Sequence, residues 1–205
     1  MPSIYDLKPR FQALLRPTIR RLHSAGLTPN HITSAALVGS LAAGIAVAFA
    51  RQRPALLLVL PIWLFVRMAL NAIDGMMARE LSLSSTLGAV LNEVGDVVSD
   101  IAIYLPLALF SAAAGWAVVI FVVVAVLTEF CGVLAQALGA ARHYEGPMGK
   151  SDRAFIVGAI ALVTVIAPRT VHAWPWLFWA AAVLAGITCL NRLRASLAEI
   201  RGEKA

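Results

Sequence analysis

Two clusters of polar side chains interrupt long apolar stretches of this 205-residue chain. Asn71, Asp74 and Ala78 recur at intervals of three and four, so they share one face of a helix. Gly88, Asn92, Asp96 and Asp100 recur at intervals of four and share a face of the next helix, each step about 6 Å along its axis. Only a short turn separates the two runs, so the helices are expected as antiparallel neighbours with their polar faces opposed. Opposed Asp and Asn oxygens suit a hard divalent cation, Mg²⁺ or Mn²⁺. Arg79, at the end of the first run, has the planar fork that holds a phosphate.

The elements that carry these residues are apolar enough to cross a bilayer. Hydrophobic residues make up 60% of the chain and charged ones 14%, with a mean hydropathy of +0.81. A soluble domain runs at about 45–50% apolar and about 25% charged. The excess lies in runs near the roughly 20 residues that a spanning helix needs. Six spans are expected, at 31–50, 55–78, 86–109, 115–139, 154–168 and 174–192, and the fifth can extend toward Lys150. The fold class is therefore an all-α integral membrane protein, one domain over 1–205 with no linker. It divides into an interfacial segment at 1–27, a six-helix bundle at 28–192 and a cytoplasmic tail at 193–205.

Residues 3–23 mix Ile4, Leu7, Phe11, Leu14, Leu15, Ile19 and Leu22 with Lys8, Arg10, Arg16, Arg20 and Arg21. Such a segment cannot span, but it can lie amphipathically at the interface against anionic head groups. Pro9 and Pro17 are expected to break it into short helical pieces. Asp6, Lys8, Pro9 and Arg10 precede any apolar core, so no cleavable signal is expected.

The net charge of +6 and pI near 10.0 follow the membrane rather than nucleic acid. No basic groove or stacking platform accompanies them. With six spans both termini share one side, which carries thirteen Lys and Arg against three (Arg51, Arg53 and Arg169) on the other. The positive-inside rule puts the termini and the Arg79–Ser85 turn in the cytoplasm. The tail cations Arg192, Arg194, Arg201 and Lys204 read as topological. Cys131 and Cys189 lie inside apolar runs without metal-type spacing and read as small buried hydrophobes.

Ionisable groups inside spans are costly and mark functional sites by default. On spacing alone, the same residues also allow an interhelical ion-pair network, with Glu129 partnering Arg67, or a proton relay in a small carrier. A carrier lacks support in repeated, Gly/Pro-interrupted halves.

The run Asp74-Gly75-Met76-Met77-Ala78-Arg79, eight residues, Gly88, three residues, Asn92, three residues, Asp96 resembles the CDP-alcohol phosphatidyltransferase signature. That signature reads Asp, two residues, Asp-Gly, two residues, Ala-Arg, eight residues, Gly, three residues, Asp, three residues, Asp. Further marks at similar places are Thr28-Pro29-Asn30, Thr128-Glu129, and Gly149-Lys150 with Arg153. The chain looks most like an uncharacterised inner-membrane branch of that family in enteric bacteria.

The resemblance implies that Asp74 and Asp96 are metal-site carboxylates, Asp96 also being the catalytic base. Gly75, Ala78, Arg79 and Gly88 would fit the cytidine diphosphate of a CDP-diacylglycerol donor. Asn71 and Asn92 stand where the family has carboxylates, each offering a neutral amide oxygen instead of a charge. Glu93 and Asp100 are the nearby substitutes, and pairing Asp96 with Asp100 is an alternative register that loses the match at Gly88. Lys150 and Arg153, with Arg142 and His143 nearby, favour a phosphorylated acceptor such as a polyol phosphate. The implied product is a phospholipid with release of CMP, and the implied assembly a homodimer. The alternative is a catalytically degenerate CDP-lipid-binding homologue acting as a regulatory or partner subunit.

Overall fold

A computed structural model describes residues 4–144 and 146–202, with side chains from Ala13 onward. Expectations for the side chains of Ile4, Leu7, Lys8, Arg10 and Phe11, and for Lys204, lie outside the described residues. The described chain is helical throughout: α1 Ile4–Ser24, α2 Pro29–Ala48, α3 Val59–Glu80, α4 Thr86–Tyr104, α5 Leu107–Phe110, α6 Gly115–Ala137, α7 Lys150–Ile166 and α8 Trp174–Ile200. The six long helices from α2 to α8 stand where spans are expected. Four segments are long and apolar enough to cross a membrane: Pro29–Ala48, Pro54–Glu80, Ala112–Ala137 and Pro168–Ile200. The other two long helices, α4 and α7, are more polar. Glu93, Asp96 and Asp100 lower the hydropathy of α4, and Lys150, Asp152 and Arg153 that of α7.

Boundaries follow local chemistry. Thr28 caps α2, its Oγ1 accepting from the His31 amide at 3.4 Å while His31 Nδ1 accepts from the Thr28 amide at 3.3 Å. Ser85 caps α4 by accepting from the Gly88 amide at 3.0 Å, and Asp152 accepts from the Gly149 amide at 2.9 Å to start α7. Three expectations are corrected. Pro9 and Pro17 do not break α1, because each ring removes one backbone bond and the flanking turns keep the rest. The third span ends at Tyr104, where Pro106 interrupts the run before α5. The tail is not separate: α8 continues to Ile200 and buries Arg192 and Ser196.

The α3 and α4 helices are not direct packing neighbours, as the short turn suggested. Each packs extensively on α2, and the space between them is bridged by long polar side chains. The largest interface, α6 on α8, brings Ala117, Ala125, Ala181 and Ala185 into the interior, small side chains that let backbones approach. Below it, Tyr104, Phe121, Phe178 and Trp174 stack with centroids 5.6–5.8 Å apart. Ile19 of α1, with Leu15 and Leu22, packs on Ile73, Met76 and Met77 of α3.

Polarity is inverted relative to a soluble fold. Arg67, Asp74, Asp100, Glu129, Arg153 and Arg192 are buried, while Ile62, Phe65, Trp116, Phe155 and Trp176 are each at least 66% exposed. An apolar exterior around a charged interior is the arrangement that a hydrocarbon solvent favours.

Candidate active site

Two cavities meet between the helices. The first, about 310 Å³, is lined by Asn71, Asp74, Gly75, Ala78 and Arg79 of α3, Gly88 and Asn92 of α4, and Asn30 and Ser85 from the adjoining caps. The second, about 420 Å³, is lined by Asp96, Glu129, Arg142, Tyr144, Lys150 and Arg192, again with Asn71 and Asn92. Asn71 and Asn92 therefore stand on the boundary between the two.

In the first cavity the glycines make room. A Cβ on Gly88 would lie 2.7 Å from Asn30 Oδ1, and one on Gly75 would lie 3.2 Å from Arg79 Nη1. Asp74 accepts from Thr33 Oγ1 at 2.8 Å. Arg79 is exposed to the cavity, and its guanidinium carries no ion pair among the described residues. A phosphate would find an unspent fork there.

The second cavity is backed by an alternating chain of charges. Glu93 pairs with Arg142, and Arg142 with Glu129 at 3.0 Å. Glu129 pairs with Arg153 at 2.7 Å, and Arg153 with Asp100 at 3.0 Å. Asp100 pairs with Arg67 at 2.5 Å, Arg67 with Asp96 at 3.3 Å, and Asp96 with Lys150. Four acids and four bases thus alternate across α4, α6, α7, α3 and the loop before α7. Among the described residues the buried charges Arg67, Asp100, Glu129 and Arg153 each have an opposite neighbour, which is the condition for keeping charges at membrane depth, while Asp74 and Arg192 bond neutral groups.

This corrects several expectations. Arg67 pairs with Asp100 and Asp96, not Glu129, because α4 faces α3 while Glu129 on α6 faces α7. Asp100 is no substitute metal ligand: both of its oxygens are taken by arginines. Glu93 turns to Arg142 rather than to Asn92. Arg153 has no exposed surface, and it lines neither cavity; it donates to Thr128 Oγ1 at 2.9 Å and anchors the charge chain. Arg192 is not merely topological. It is 3% exposed, donates to the Thr128 carbonyl at 2.6 Å and lines the second cavity.

Arg142 and Arg192 each keep a buried Nε–H without a partner. Arg142, Arg192 and Lys150 are the cations that line the second cavity, beside the acids Asp96, Glu129 and Asp152. Arg142 also lies over the Tyr144 ring, 5.6 Å from its centroid. Ser85, Tyr144, Asp152 and Arg192 in the linings, and Thr33 as the partner of Asp74, are residues that sequence reasoning did not assign to the site. Arg192 had a signal, since Thr188, Arg192 and Ser196 continue a stripe at intervals of four past the last span.

Among the described residues no three His, Cys, Asp or Glu side chains converge as a metal site. Asp74 and Asp96 with the amide oxygens of Asn71 and Asn92 nevertheless form an all-oxygen donor set around the cavity boundary. That set fits a hard divalent cation and carries two negative charges.

Residues 26–188 match the CDP-alcohol phosphatidyltransferase family. The chain belongs to the CDP-alcohol phosphatidyltransferase family. It is thus a membrane-bound transferase by family. It is 48% identical over 196 residues to the inner membrane protein YnbA of Escherichia coli strain K12, covering 95% of this chain and 96% of that protein. The fold is similar to that of Mycobacterium tuberculosis phosphatidylinositol phosphate synthase PgsA1 with CDP-DAG bound. That match has a TM-score of 0.74 at 26% identity, over 88% of this chain and 92% of that one. The same synthase in complex with manganese and citrate gives a TM-score of 0.75 at 26% identity, over 88% of both chains.

Proposed function

We propose that this phosphatidyltransferase moves a phosphatidyl group from CDP-diacylglycerol, or a similar CDP-alcohol, to a hydroxyl acceptor and releases CMP. The observation that carries the reading is the pair of cavities joined at Asn71 and Asn92, one with the free fork of Arg79 and one with Asp96. The PgsA1 structure with CDP-DAG bound supports the donor.

The diphosphate would lie against Arg79, with Gly75, Ala78 and Gly88 admitting the cytidine close to the backbone. Asp74 and Asp96, with Asn71 and Asn92, would hold Mg²⁺ or Mn²⁺, and the manganese-containing PgsA1 structure favours that choice. When bound, the metal neutralises phosphate charge. Asp96 takes the proton of the acceptor hydroxyl as its oxygen bonds to the lipid-linked phosphorus, and the bond to CMP breaks in line. Positioning and charge stabilisation carry most of such a reaction.

The acceptor enters the second cavity. Arg142, Arg192 and Lys150 line it beside Asp96, Glu129 and Asp152, and the three cations are the groups that would hold the phosphate of a polyol phosphate. The chain is read as one domain with six spans in the inner membrane, with both termini and the site cytoplasmic; the K/R distribution supports that orientation. The interfacial placement of α1 is supported by the exposed Arg16, Arg20 and Arg21 that flank its buried Ile19. The homodimer rests on family resemblance alone.

A second reading has its own observation. Asp96 is held by Lys150 and Arg67, and two motif carboxylates are amides, as in a CDP-lipid-binding partner that no longer turns over. One experiment separates the readings: purified protein with radiolabelled CDP-diacylglycerol, Mg²⁺ and a panel of acceptors. CMP release with one acceptor class is the expected result. Tight CDP-lipid binding with no CMP from any acceptor establishes the binder instead.

A further inference from the structure

We infer that the ammonium of Lys150 is a built-in counter-ion for Asp96, so that this site takes a single divalent cation, held on the Asp74 side. The inference rests on the transferase reading above and narrows its metal shell to Asp74, Asn71 and Asn92, with Asp96 keeping the role of base.

The two motif carboxylates are not equivalent. Asp74 lines the first cavity, and its side-chain hydrogen bond comes from a neutral group, Thr33 Oγ1. Asp96 lines the second cavity and has both oxygens engaged. Oδ2 pairs with Lys150, while Oδ1 accepts from Arg67 Nη2 and from Asn71 Nδ2, each at 3.3 Å. Arg67 also donates to the Asp96 carbonyl at 3.1 Å, so the guanidinium is fixed to the helix as well as to the side chain.

The charges then close. Glu93, Glu129, Asp100 and Asp96 alternate with Arg142, Arg153, Arg67 and Lys150 in one connected chain, four negative against four positive. Asp74 is not a member. It is the motif carboxylate left to a metal, with the neutral oxygens of Asn71 and Asn92 and the phosphate oxygens of a CDP-lipid to complete a hard-ion shell. A second divalent ion at Asp96 would stand against an ammonium and a guanidinium in a low-dielectric interior, where like charges repel strongly. The amides at 71 and 92 leave fewer anionic ligands, and the ammonium on Asp96 stands as a tethered monovalent cation where another ion would go. Lys150 is 31% exposed at its side chain, enough to sit at the cavity mouth without being lost to solvent.

The test is Mn²⁺ titration of the full-length protein in nanodiscs containing CDP-diacylglycerol, with free Mn²⁺ read by electron paramagnetic resonance. Wild type should saturate at one Mn²⁺ per chain, and Lys150→Arg should do the same. Lys150→Met should expose Asp96 and admit a second, weaker ion. Lys150→Met with Asn92→Asp should bind that second ion about tenfold tighter or better, since a charged oxygen replaces a neutral one. CDP-diacylglycerol binding checks that each variant is folded. Two ions in wild type, none, or a double variant that stays at one would each overturn the inference. CMP release by wild type is read alongside: two ions with turnover removes the counter-ion and keeps the transferase, whereas no CMP with any acceptor removes the transferase reading itself.

Discussion

Arg67 on α3 grips Asp96 on α4 twice, through the carboxylate Oδ1 at 3.3 Å and through the backbone carbonyl at 3.1 Å. Its other nitrogen, Nη1, holds Asp100 one turn away at 2.5 Å. Since α3 and α4 pack mainly on α2, this side chain, with Asn71 beside it, sets the distance and register between the two polar faces. It is a positioning residue for the proposed base.

Arg67→Lys keeps the charge but loses the fork, so one ammonium must choose between Asp96 and Asp100. The expected result is a fall in kcat of about tenfold or more with little change in KM for CDP-diacylglycerol, since the first cavity does not include Arg67. Steady-state CMP release checks it, and an equal rise in KM would count against the positioning role.

Asp96→Asn and Asp100→Asn should differ in kind. Asp96→Asn removes the proton acceptor and should cut turnover by about 10²–10⁴-fold while CDP-diacylglycerol still binds. Asp100→Asn leaves Arg67 and Arg153 short of a charge in the interior. Breaking a buried pair costs about 3–5 kcal/mol, so this variant should lose thermal stability first. Melting in detergent alongside CMP release separates the two.

Arg79→Ala should weaken CDP-diacylglycerol binding with the fold intact, because the side chain faces the first cavity without an internal partner. A charge-assisted hydrogen bond is worth about 1.5–3 kcal/mol, or at least about tenfold in affinity. Gly75→Val should fail by crowding instead, its Cβ meeting the Arg79 guanidinium. Equilibrium binding of labelled CDP-diacylglycerol to both variants checks this, and unchanged affinity in Arg79→Ala would move the nucleotide elsewhere.

The loop before α7 should loosen in acid. Glu199 accepts from the Ala141 amide at 3.0 Å and contacts His143 Nε2 at 2.9 Å. Those two contacts, the amide first, hold its carboxyl below the ordinary glutamate range. A depressed folded pKa means the tether is fully present above the ordinary glutamate value and is lost as pH falls through the lowered one. Limited proteolysis of loop 138–149 against pH should show protection at neutral pH that fades in acid, and Glu199→Gln should lose that protection at neutral pH. A loop equally protected in Glu199→Gln would exclude the tether.

Much of this was legible in the chain. The periods of three and four in Asn71, Asp74 and Ala78 and in Gly88, Asn92, Asp96 and Asp100 define polar faces whatever lies opposite them, because helix geometry is local. Apolar run lengths fixed the helix positions for the same reason, and the small residues Gly75, Ala78 and Gly88 announced a backbone that something approaches. Partners were not legible. Whether Arg67 meets Glu129 or Asp100, whether Arg153 faces a cavity or the core, and whether Arg192 belongs to a tail or a site all depend on how helices distant in sequence rotate against one another. Those rotations are set by packing over whole faces, such as the alanines between α6 and α8, and by the pairing of Arg67, Asp100, Glu129 and Arg153 in the interior. Sequence spacing determines which side chains share a face; only the assembled bundle decides which faces meet, and so which carboxylate is left for a metal.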